Sequence, residues 1–161
     1  MVNMVFTPPS PAERMVFMGY AGVAVCGAIL GSEALSGLQG HIDLMGEDIA
    51  QGMLAVASAV GGCIAAGLLR DKFGFSGRAG ALRALLGVVF ATATLGIAAG
   101  TFVLPVFGTM FGPWLLVVTL VTKPLVALPW LLSLLGFHLA FRSYRREQNT
   151  VFRHLKRIDD I

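Results

Sequence analysis

Charge is what this chain has least of. Its 161 residues include 12 Lys and Arg and 9 Asp and Glu, 13% in all, against ~25% in an ordinary soluble domain. Residues 15–32, 49–69 and 84–122 carry no Asp, Glu, Lys or Arg. Apolar runs of that length exclude a soluble globular domain and predict membrane-spanning helices. Cysteine is nearly as scarce, with Cys26 and Cys63 alone. Each lies inside an apolar run, and neither has the CxxC or ligand spacing of a redox or metal site. Counted from Arg14 and Arg70, their depths differ by ~7–8 Å of helix, awkward for a disulfide. Both are expected to act as small packing residues.

Chemistry-bearing patterns are missing as well. The sequence has no nucleophile beside a base, no paired carboxylates within an apolar run and no phosphate-binding loop, so catalysis is not expected. His138 would need a facing histidine to hold haem. Its candidates are His41, at the opposite membrane face, and His154, in the tail. No cofactor or metal is expected. The net charge of +3 comes from short basic patches, which report membrane orientation rather than nucleic-acid binding.

Residues 1–14 hold Pro8, Pro9 and Pro11, which forbid a regular helix. Ser10 as N-cap and Pro11 as first helical residue would start one. Residues 15–32 are expected to be an uncleaved first span, since no base precedes Arg14 as a signal peptide would require. Residues 33–48, EALSGLQGHIDLMGED, read as a polar connection with acids and no base. His41, Asp43 and Glu47 could be brought together as metal ligands, but Asp43, Glu47 and Asp48 are read as solvating the connection and capping the next helix.

The second span, 49–69, is rich in small residues. Ala55 and Ala59 are four apart, as are Ser58, Gly62 and Ala66. Gly27 and Gly31 repeat the spacing in the first span, and Gly96 and Gly100 in the third, residues 84–104. Small residues at that spacing let helix backbones approach closely in lipid. Between the second and third spans lies a basic loop, 70–83. Across its start, GLLRDKFG (67–74) resembles the loop core of major facilitator transporters, but Phe75 and Ser76 stand where that family carries bases. The chain is also too short for twelve spans, so a tight turn accounts for the pattern.

Residues 105–113, PVFGTMFGP, read as an uncharged turn. Residues 114–141 then read as one long span of ~42 Å, bent at Pro124 and Pro129 and carrying a single charge, Lys123. A cut at Lys123 into two full spans would put the basic tail on the face opposite the basic loop, against the positive-inside rule. Four spans with both termini cytoplasmic satisfy it. Lys123, with Thr119 and Thr122 nearby, is then either an intramembrane polar site or a lysine reaching the outer headgroups.

The tail, 142–161, places Phe141, Tyr144, Gln148, Val151, Leu155 and Ile158 at helical spacing. Arg142, Arg145, Arg146, Arg153, Lys156 and Arg157 take other positions. This amphipathic helix would lie on anionic lipid or pack on a partner. The expected fold is all-α: an integral membrane four-helix bundle with short loops and an amphipathic cytoplasmic tail helix. The expected function is an accessory, structural or assembly subunit of a larger inner-membrane complex. Its partners would be membrane lipids and other membrane subunits or copies of itself. The alternative is a small transporter or channel subunit using Lys123.

Overall fold

The computed structural model describes residues 8–36, 47–103 and 106–159, with side chains described at all of these except 35–36, 47–50, 103 and 151–159. They form five α-helices: α1 (Pro11–Ser36), α2 (Glu47–Leu69), α3 (Gly77–Val103), α4 (Phe107–Thr122) and α5 (Pro124–Asp159). A single 3-10 turn, Arg70–Lys72, follows α2. No strand occurs among the described residues. Helices α1, α2, α3 and α5 are long and apolar enough to cross a membrane, and α4 is a shorter apolar helix. The chain is a multi-pass helical membrane protein.

Local chemistry sets several helix ends. The Ser10 hydroxyl accepts the Glu13 amide at 3.2 Å, and the Glu13 carboxylate accepts the Ser10 amide at 2.8 Å. This reciprocal box satisfies two amide donors that a helix start otherwise leaves unpaired. At its other end α1 runs to Ser36, so Glu33 lies in the helix and not in the connection where the sequence placed it.

The long helices alternate in direction. Gly31 faces Ser58 while Gly62 faces Val23, so α1 and α2 are antiparallel. Gly61 faces Leu95 and Ala98 while Phe73 reaches back to Gly87, so α3 reverses α2. Helix α5 runs against α1: Gly27 faces Trp130, Gly19 faces Phe137, and the Ser10 hydroxyl donates to Glu147 at 3.2 Å. One face of the bundle therefore holds the start of α1, the 70–76 connection and the region of Glu147. The opposite face holds the ends of α1 and α3.

The single span expected over 114–141 is instead two helices that meet at Lys123. The reason is local. A residue before proline is pushed out of the helical region, and Lys123 sits at φ −121°, ψ 74°. Its amide still donates to the Thr119 carbonyl at 2.8 Å. Its own carbonyl accepts the amides of Val126 and Ala127 at 3.0 and 3.2 Å. Pro124 then opens α5 as first helical residue, where a missing N–H costs nothing. The expected turn over 105–113 is also shorter, because α4 begins at Phe107 and holds Pro113 inside it.

Helix α4 does not cross. Gly108 near its start lies against Gly100, and Gly112 lies against Gly96. Its far end, Lys123, touches Glu33 near the end of α1. Gly100 and Glu33 both lie towards the same face, so α4 enters and returns on one side. Its 16 residues reach ~24 Å, short of the ~30 Å hydrocarbon core. The break at Lys123 thus adds no crossing, and Ser10 and Glu147 stay on one face.

The core centres on α5. Trp130, Leu134 and Phe137 are fully buried with Val23, Leu30, Leu95 and Phe73. Trp130 Nε1 donates to Thr92 Oγ1 at 3.0 Å, and that hydroxyl donates onward to the Val88 carbonyl at 3.0 Å. Tyr20, Phe73 and Phe137 meet edge to face, with ring centroids 5.0 and 5.4 Å apart. That arrangement suits the aromatic quadrupole and locks α1 and the 70–76 connection onto α5.

Candidate functional site

The residues singled out by sequence fall into three places. The first is the joint between α4 and α5. Lys123 Nζ lies 2.7 Å from a Glu33 carboxylate oxygen and donates to the Glu33 carbonyl at 3.4 Å. The sequence reading missed this acid because it assigned Glu33 to the connection. Each side chain is 42% exposed, so the pair stands at the edge of the bundle rather than deep within it. Thr119 is buried and donates to the Leu115 carbonyl at 2.8 Å. Thr122 is exposed and donates to the Val118 carbonyl at 2.8 Å. Both hydroxyl protons are held within α4.

Glu33→Gln leaves the Lys123 ammonium with a neutral amide. The expected cost is about 1 kcal/mol, the upper range for an exposed pair, read as a lower unfolding midpoint in detergent. The gap to wild type should narrow as salt is raised. An unchanged midpoint at low salt would show that the pair contributes nothing.

The second place is the small-residue interfaces. Gly27 and Gly31 face Ser58, and Gly62 faces the Val23 carbonyl. Ala66 is fully buried, while Ala55 and Ala59 are half-buried. Gly96 and Gly100 meet Gly112 and Gly108 of α4, partners that the sequence reading had placed in a turn. The signal was present, since Gly108 and Gly112 share the same four-residue spacing. Thr101 and Thr109 add a hydroxyl contact at 2.9 Å across this pair of helices.

The third place joins the basic connection to the root of the tail. Phe73 is fully buried against Gly87 and Phe137. Gly74 has φ +87°, and a Cβ there would sit 2.8 Å from the Phe141 backbone, so only glycine fits. Its amide donates to His138 Nδ1 at 3.2 Å. His138, considered by sequence only as a haem ligand, is thus the anchor of this turn. Phe75 is covered by two guanidinium groups, Arg145 at 4.3 Å and Arg83 at 4.9 Å from the ring centre. Arg145 comes from the tail and Arg83 from α3, so cation–π stacking ties both to the connection.

A cavity of about 630 Å³ opens between these elements. Arg70 and Asp71 line it from one side, and Arg142, Arg145 and Arg146 from the other. Arg142 and Arg145 are half-buried, so they are not simply a solvated outer stripe of the tail. The side chains of Arg153, Lys156 and Arg157 lie outside the described residues. So do those of His41, Asp43 and Glu47. Among the described residues, no three His, Cys, Asp or Glu side chains group as metal ligands. Cys26 and Cys63 are free thiols.

Comparison of the chain with known protein families, with curated proteins and with solved structures finds no match to any of them.

Proposed function

We propose that this protein is a non-catalytic accessory or assembly subunit of a larger complex in the cell inner membrane. The observation that carries this reading is the tail. Helix α5 continues to Asp159, about three turns beyond Glu147, the residue that meets the start of α1. Over those turns the sequence places Val151, Leu155 and Ile158 at helical spacing. A helix that outruns its own bundle with an apolar stripe suits attachment to a second subunit, through helix-in-groove packing. Lipids and other membrane subunits, or a second copy, are its partners in this reading.

Orientation follows from charge. The connection after α2 and the first part of the tail are basic and share a face, whereas Glu33 lies towards the other. The positive-inside rule then places both ends of the described chain in the cytoplasm.

Removing residues 151–161 leaves α1 to α4 and every residue named above in the core and in the arginine cleft in the chain. The expected result is a folded protein that no longer co-purifies with its partner in mild detergent. Retention of the partner at wild-type levels would sink the accessory reading.

The second reading, a transporter or channel subunit, is favoured by one observation. The helix break at Lys123 sets an unwound residue and the Lys123–Glu33 pair beside a helix that enters and returns on one face. Broken helices of this kind line substrate sites in transporters. Lys123→Leu separates the readings. Under transport it abolishes flux in reconstituted vesicles, and under the accessory role it leaves partner binding unchanged.

A further inference from the structure

We propose that the cleft between the 70–76 connection and the root of the tail helix binds a phosphate-bearing anion. An anionic lipid headgroup and a soluble phosphate are the two sources of that chemistry.

Charge is the first argument. Among the described residues, Arg70, Arg142, Arg145 and Arg146 line the cavity against one acid, Asp71. Asp71 stands 4.0 Å from Arg70, and both side chains are mostly exposed, so their pairing offsets little of the positive field. Arginine presents a planar fork of donors that matches phosphate oxygens two at a time. Several forks around one cavity make a phosphate a better occupant than a single carboxylate.

Preorganisation is the second. Arg145 Cζ lies over the Phe75 ring, 4.3 Å from its centre, and this cation–π contact holds the guanidinium at the cleft wall. Phe75 is held in turn by the buried Phe73 and by Gly74, whose amide is fixed on His138. The arginine is therefore placed before any anion arrives, which lowers the ordering cost of binding.

Unmet donors are the third. The Nε atoms of Arg142 and Arg145 are shut off from solvent and have no hydrogen-bond partner among the described residues. A buried charged donor without an acceptor is unfavourable, and a turn of either side chain towards the open cleft lets an anion supply one. The volume, about 630 Å³, lies in the ~300–1,000 Å³ range of ligand sites and exceeds what one small ion needs.

Position is the fourth. The cleft lies where α2 ends, α3 begins and α5 leaves the bundle. That is the basic face, the one the positive-inside rule turns towards an anionic leaflet whose phosphates attract arginine. Among the described residues the lining runs over 70–76 and 141–149, so the proposal rests on those residues and not on the accessory reading.

The test uses the full-length protein purified in mild detergent, with unfolding midpoints followed as phosphatidylglycerol, phosphatidylcholine or inorganic phosphate is added. A ligand of the native state raises the midpoint with concentration. Phosphatidylglycerol should protect well above phosphatidylcholine, and R142Q/R145Q should weaken its apparent affinity about tenfold or more. Arg70→Gln should weaken it about threefold or more. Its side chain is 66% exposed, so folding does not depend on it, and it decides the matter if R142Q/R145Q fails to fold. Arg78→Gln, exposed and outside the cleft, should change nothing. Protection by phosphatidylglycerol without inorganic phosphate assigns the source to lipid. Protection by inorganic phosphate without phosphatidylglycerol assigns it to a soluble anion. Equal protection by both lipids with none from phosphate overturns the proposal. So does a phosphatidylglycerol preference that survives both cleft variants.

Discussion

Gly100→Val should separate α3 from α4 and lower the unfolding midpoint more than any surface substitution. A Cβ at Gly100 would run into the carbonyl of Gly108, and a Cβ at Gly108 into the carbonyl of Gly100. Two residues deeper in the pairing repeat the geometry. A Cβ at Gly96 would lie 2.6 Å from the Pro113 backbone, and one at Gly112 would meet the Gly96 carbonyl. These obstacles are backbone, so no side chain can rotate out of the way. Overpacking costs ~1–3 kcal/mol when neighbours can adjust. Here the helices themselves must move, and the upper end of that range or more is expected. Helix association in lipid depends on close packing rather than on expelling water, so the lost contact is not regained elsewhere.

A matched control is available in the same protein. Gly136 faces open space, with nothing within 4 Å of a built Cβ. Gly136→Ala should be neutral or stabilising by ~0.5–1 kcal/mol through helix propensity. The measurement is the unfolding midpoint in a graded denaturing-detergent titration, with Trp114 on α4 as a local fluorescent probe. Equal midpoints for Gly100→Val and Gly136→Ala would show that the α3–α4 crossing is not a close one.

Trp130→Ala is the other large effect. Trp130 is fully buried at the centre of the core and donates to Thr92. In soluble cores a Trp→Ala change costs ~3–5 kcal/mol. Lipid is as apolar as the protein interior, so the transfer part falls away and the packing part remains. A loss of about 3 kcal/mol is therefore expected. Trp130→Phe keeps most of the volume and removes only the indole donor. It should cost about 1 kcal/mol. A cycle with Thr92→Val should return a coupling of ~0.6–1.7 kcal/mol, the range for hydrogen bonds between membrane helices. Zero coupling would mean that the Trp130–Thr92 bond contributes nothing beyond packing.

Much of the architecture was legible in the residues. The charge-free runs marked the regions of the first three spans, because hydrocarbon excludes charge. Ser10 and Pro11 marked the start of α1, because capping is a contact within one turn. Even the stop at Lys123 was legible, since the residue before proline leaves the helix. Taken as a boundary between two full spans, that stop conflicts with the basic tail. A short helix that returns to its own face reconciles the break with the tail, and only distant contacts reveal it. Trp130 is a similar case: packing against Gly27 and a hydrogen bond to Thr92 make it a core residue, and neither contact lies within its own helix.

The candidate sites divide the same way. Small-residue spacing is a property of one helix, so Gly27, Gly31, Gly62, Gly96 and Gly100 could be singled out alone. Their partners across each interface could not, and Gly108 and Gly112 were passed over. The basic character of 70–83 and of the tail could be counted in advance. That Arg70 and Arg142, 72 positions apart in the chain, line one cavity could not.

That this protein lives in a membrane, is helical and carries its positive charge on a few short segments can be read from its residues alone. Those follow from composition and from contacts spanning a turn or two, which any single helix can satisfy. That α4 turns back, that Lys123 meets Glu33 and that arginines from two segments share a cleft emerges from packing between helices. Each of these depends on the register between helices, which is set by glycine-to-backbone contacts across α3–α4 and by aromatic packing across α1 and α5.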